Sequence, residues 1–178
     1  MKLGLLAVPL AFLLAISVGC SDSSDTLTLD EYFAEFEAID ADVDAEFEAA
    51  FAVFPEDEDF EAFLEDDGNV PAVKEFTAAL PVIIGDAIDR VEALDPPSEV
   101  ETEHDNLIDA GDDLVVAFEE GNELIQDAET MAEFDFQNSE VEATVDAAQA
   151  AFDEACLDLV AVGEANGVTV NVTCEDDV

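Results

Sequence analysis

Apolar residues recur along most of this chain in steps of three and four, the spacing that places them on one face of an α-helix. The first stripe runs Leu29, Tyr32, Phe36, Ile39, Val43, Phe47, Ala50 and Phe54, and Pro55 stops it. Thr28-Leu29-Asp30-Glu31 at its start has the form of a capping box, with Leu27 and Tyr32 where a hydrophobic staple would lie. A second stripe runs Val73, Phe76, Leu80, Ile84, Ala87, Val91 and Leu94. Pro71 suits its first turn, and Pro81 inside it predicts a kink. After the break Asp95-Pro96-Pro97, a second box, Ser98-Glu99-Val100-Glu101, opens the stripe Val100, His104, Leu107, Gly111, Leu114, Phe118 and Ile125. A third box, Ser139-Glu140-Val141-Glu142, opens the last: Val141, Val145, Ala148, Phe152, Cys156, Leu159 and Val162. Asn166-Gly167 ends it, with Gly167 placed for a left-handed cap.

The connections are shorter. The acidic insert Glu56 to Asp67, with Phe60, Phe63 and Leu64, predicts a short helix, and Met131, Phe134 and Phe136 a short helical turn. Val168-Thr169-Val170-Asn171-Val172 alternates as an extended segment would. A single strand finds no partner in this chain, so it is expected to pack along a helix. The expected fold is all-α: an antiparallel bundle of about four long helices with short connecting helices and an extended tail.

The first residues follow another logic. Met1-Lys2-Leu3 gives one positive charge, an apolar run follows to Val18, and Gly19-Cys20 leads at once into polar Ser21 to Thr26. A basic start, an apolar run and small residues at the cut define a secretory signal. The run falls slightly short of the ~20 apolar residues of a spanning helix. Ser17-Val18-Gly19-Cys20 resembles the lipobox of bacterial lipoproteins, fitting at Val18, Gly19 and Cys20 and departing at Ser17, where Leu is usual. The resemblance implies a lipid on Cys20 and a place outside the cytoplasm, anchored to the cell membrane. The expected division is a signal peptide over 1–19, the lipidated Cys and short spacer over 20–27, and one helical-bundle domain over 28–178.

Charge narrows the partners. Three Lys and Arg oppose 48 Asp and Glu, a net charge of −45, and loss of Lys2 with the signal would make it −46. Such a surface repels nucleic acid and anionic headgroups over a Debye length of ~8 Å at physiological salt. Disorder is the other reading of extreme charge. It fails because half of the residues are apolar and 13 are Phe. Abundant acid with scarce Lys is also the pattern of proteins from salt-loving organisms. A basic protein, a cationic ligand or loosely held divalent cations fit the acidic faces.

With Cys20 given to lipid, Cys156 and Cys174 remain. Outside the cytoplasm such a pair is normally oxidised. From Cys156 to Asn166 a helix rises about 15 Å. The residues from Gly167 to Cys174 reach up to ~23 Å when extended. The tail can therefore turn at Gly167 and return along its own helix to close a disulfide. Redox chemistry lacks a Cys-x-x-Cys spacing and basic neighbours.

Candidate chemistry is sparse. Glu101-Thr102-Glu103-His104 holds one Glu-x-x-His, and a di-metal carboxylate bundle needs two. His104 and Glu101 are the candidate ligand-binding residues. The simpler expectation for His104 is a stripe residue bonded to the preceding loop. Asp40, Asp42 and Asp44 have EF-hand spacing, but Ala45 and Phe51 stand where that loop needs Gly and Glu. Asn171-Val172-Thr173 is a glycosylation sequon. No nucleophile triad or phosphate loop is suggested, so no enzyme, metal site or cofactor is expected.

The layout as a whole resembles a group of acidic, α-helical bacterial lipoproteins to which no activity is attached. The resemblance rests on Leu27 to Phe33, on Ala93-Leu94-Asp95-Pro96-Pro97 with His104 beyond it, and on Phe152 to Cys156 followed by Asn166 to Val170 and Cys174. It implies the bundle and the envelope address. The function expected is a non-catalytic, lipid-anchored binding or scaffolding module. The alternative is a solute- or metal-binding lipoprotein with a pocket in the bundle, near His104 and the Pro96-Pro97 loop.

Overall fold

Thr28 starts the folded part as its sequence requires. Its hydroxyl faces the Glu31 amide at 3.3 Å, and the Glu31 carboxylate accepts from the Thr28 amide at 3.0 Å. These bonds hold the Glu31 carboxyl below its ordinary range, chiefly through the Thr28 side chain. Helix α1 follows over Leu29–Phe51. The computed structural model describes residues 26–54, 62–63, 65–134 and 140–174. The signal segment, Cys20, Pro55, Phe60, Leu64, Phe136 and Ser139 lie outside the described residues.

Three further long helices complete an all-helical fold: α2 over Val70–Glu92, α3 over Glu101–Gln126 and α4 over Glu140–Ala165. Short 3-10 turns at Asp67–Asn69 and Met131–Phe134 lie in the connections. Helix α2 is continuous through Pro81, which is buried. The second capping box does not form. Val100 is fully buried, and its amide donates back to the Pro97 carbonyl at 3.0 Å, closing a tight turn. That turn delays the helix, so Val100 becomes its cap residue, and Ser98 donates to Glu99 instead.

Neighbouring helices run antiparallel. The Leu27 amide donates to the Asp95 carbonyl at 3.1 Å, which brings the start of α1 to the end of α2. Lys74 near the start of α2 donates to the Gln126 carbonyl at the end of α3, at 2.7 Å. The main core lies at this first end, where Tyr32, Phe33, Leu107 and Leu159 are at most 1% exposed. Each such side chain contributes about 1.5–3 kcal/mol by leaving water. A smaller cluster, Ile84, Ile88 and Leu114, continues the core along α2 and α3.

The end of α4 is built for reversal. Gly167 has φ +88°. Its amide donates to Glu164, and the Val168 amide reaches back to Gly163, which satisfies the last helical carbonyls. Residues 168–174 then run without regular structure, with Val168, Val170 and Val172 against the core. Cys174 closes a disulfide to Cys156, with Cα atoms 5.5 Å apart. The tail thus packs along its own helix, as its alternation implied.

Candidate functional site

The closure between α1 and α4 changes along the bundle. At the core end the two helices nearly touch: a methyl group placed on Gly163 would stand 2.6 Å from the Phe33 ring. Farther along they are bridged by the tail. The Asn171 amide donates to Glu37 on α1 at 2.8 Å, while Cys174 is bonded to α4. Past the tail a cavity of about 190 Å³ remains. Its apolar wall includes Val43 and Phe47 of α1, Ile84 and Ile88 of α2, Leu114 of α3 and Phe152 of α4. Val43, Phe47 and Phe152 are partly exposed there, although they sit on the inward stripes of their helices.

Carboxylates rim this cleft. Asp40 and Asp44 stand one turn apart on α1, and Asp153 stands on α4, holding Gln149 by a 2.7 Å hydrogen bond. Burial raises the Asp40 carboxyl above its ordinary range, repulsion from Asp44 and Glu37 adds to this, and the Thr173 amide opposes it. The positive charges of the described residues lie elsewhere. Arg90 pairs with Asp42 at 2.7 Å on exposed faces of α2 and α1, and Lys74 is bonded to the end of α3. The cleft therefore presents unneutralised acid above an apolar floor. A second cavity, about 240 Å³, lies between α2, α3 and α4, with Leu80, Phe118, Ile125 and Val145 in its wall.

His104 is in neither cavity. It is 3% exposed, and its Nδ1 lies 3.0 Å from the Tyr32 hydroxyl, across 72 positions of sequence. The expected bond to the preceding loop is replaced by this one, because Tyr32 enters the core beside the start of α3. Burial lowers the His104 pKa, against the pull of Asp105 and Glu92, and burial raises that of Tyr32 well above the usual phenol range. With the imidazole neutral and its proton on Nε2, the phenol donates to Nδ1. The rings meet edge to face, 5.8 Å between centres. Glu101 is exposed, one turn before His104, and lines neither cavity.

Among the described residues no cluster of three His, Cys, Asp or Glu could hold a metal ion. No helix among them is long and apolar enough to cross a membrane. The acidic residues of the cleft were missed as a group. Their signal was present as two pairs, Asp40 with Asp44 and Gln149 with Asp153, each four apart and flanking a stripe position, Val43 or Phe152. No protein-family model, curated protein or solved structure matches this chain.

Proposed function

We propose that this chain is an exported, lipid-anchored binding module of the cell envelope, without catalytic activity, and that it binds through the cleft between α1 and α4. The observation that carries this reading is the cleft itself: inward-stripe side chains left partly exposed over a cavity of about 190 Å³. Mostly apolar concavities with a few converging polar groups are the usual form of small-molecule sites. The buried Tyr32–His104 pair reads as a core element in this account, since it is closed off from both cavities. Export and anchoring rest on the first twenty residues. One residue bearing two or more acyl chains gives stable attachment, which one chain does not. The acidic surface leaves nucleic acid out of the candidate partners.

Two measurements test this. Labelled fatty acid should enter the wild-type chain and be lost in Cys20→Ala; label retained by the variant rejects Cys20 as the anchor. Protein captured from its own envelope at native salt should carry a bound compound or partner that Ala87→Phe, which fills the cleft from α2, does not. Equal capture by both would remove the cleft from the proposal.

A further inference from the structure

The geometry points to a small organic cation as the occupant of the α1–α4 cleft: an ammonium group on an aromatic or branched apolar body, the ammonium drawn to the acidic rim of Asp40, Asp44 and Asp153 and the body lodged beside Phe47 and Phe152. This rests on the cleft being the binding site and goes further by naming the class of ligand.

Three independent features select that class. Size is the first. A dry apolar cavity of roughly 150 Å³ takes up benzene, so about 190 Å³ holds a body somewhat larger than one ring. Wall chemistry is the second. Ile84, Ile88 and Leu114 form an apolar floor that a hydrated inorganic ion would leave unfilled. Phe47 and Phe152 put aromatic side chains in the wall, and an aromatic ring draws an ammonium as well as an apolar group. Charge is the third. The three rim carboxylates come from two facing helices, and Lys74 and Arg90 are both engaged elsewhere. An anion would meet like charge at the mouth, and a neutral body would leave that charge unanswered. Burial is the main reason the Asp40 carboxyl is raised, and a cation at the rim offsets the repulsion from Asp44 and Glu37 that adds to it. The tail completes the site. Val172, Thr173 and Cys174 form its wall toward the core end, fixed there by the Cys156–Cys174 bond.

The test uses the full-length chain in phosphatidylcholine nanodiscs, with empty nanodiscs subtracted, whether or not Cys20 carries lipid. Calorimetric titration at physiological salt compares phenethylammonium with phenethyl alcohol, phenylacetate and ethylammonium. Phenethylammonium should bind at least tenfold more tightly than each of the others. Asp40→Asn/Asp44→Asn/Asp153→Asn should lose that preference while still binding the alcohol. Asp112→Asn/Glu119→Gln/Glu120→Gln removes three exposed charges elsewhere on α3 and should leave the affinity unchanged. If the triple cleft variant does not fold, exposed Asp44→Asn alone should weaken phenethylammonium about threefold. Alcohol bound as tightly as the ammonium would overturn the cation while leaving the cleft as a binding site. Ethylammonium bound equally well, or equal losses in both triple variants, would reduce the effect to the general ion atmosphere and overturn the proposal. So would no binding by any probe, while the capture comparison with Ala87→Phe would still decide whether the cleft serves another ligand.

Discussion

The Tyr32 hydroxyl and His104 Nδ1 satisfy each other inside the core, and their bond makes two residues interdependent. Tyr32→Phe keeps the ring but leaves Nδ1 without its donor. It should cost roughly 1–3 kcal/mol in denaturant melts. The pair also sets a pH dependence. Burial holds the folded pKa of His104 below its ordinary 6.5. The unfolded chain therefore takes up a proton near pH 6.5 that the folded chain refuses, and stability falls as pH drops below that value. Above it the contribution is complete and flat. The raised Asp40 carboxyl acts the other way, favouring the folded state as pH falls, and His104→Gln leaves that contribution in place. Between pH 7.5 and pH 5.5 wild type should thus lose stability relative to His104→Gln; parallel melting curves would reject the assignment. Gly163 is constrained by space. A methyl group there meets the buried Phe33 ring and, at 2.9 Å, Val170. Gly163→Ala should cost about 1–3 kcal/mol through overpacking, read as a lower denaturation midpoint.

Among the elements, the tail depends most on a single covalent bond. Cys156 and Cys174 are 18 positions apart, and closing a loop of that size is worth on the order of 3 kcal/mol. Cys156→Ala/Cys174→Ala should lose about that much, and reductant should lower the wild-type midpoint while leaving the double variant unmoved. The helices themselves were legible in the chain. Their stripes, the Thr28 box and the Gly167 stop are local signals, set by neighbours within a few residues. The second box was misread because Pro97 and buried Val100 impose a turn that outcompetes the Ser98 cap. The Tyr32–His104 bond and the cleft were illegible for a different reason. Each joins positions distant in sequence, and periodicity says which side of a helix is inward but not which helix it meets. Asp40 and Asp44 differ from the acidic residues around them only by where α4 and the tail lie.

For the whole molecule, charge sets the balance. A net charge of −45 on one folded chain opposes its own compaction. The self-repulsion is screened over ~10 Å at 0.1 M salt and ~3 Å at 1 M. Thermal midpoints should accordingly rise by roughly 5–10 °C between about 0.1 M and 1 M KCl, a shift matching a few kcal/mol for a chain of this size. A flat salt response would mean that the carboxylates sit too far apart to matter. The same field reaches the cleft, but the apolar floor there adds a selectivity that the bare field lacks.

The bond from the Leu27 amide to the Asp95 carbonyl has a mechanical meaning. It roots the chain at one end of the bundle, so any tension transmitted from the preceding residues reaches the fold there first. The load passes to the Thr28 box and then to the first turn of α1, the helix that forms one wall of the cleft. A single-molecule pull applied at Thr26 should therefore peel α1 away while α3 and α4 stay together, and the cleft would come apart well before the molecule does.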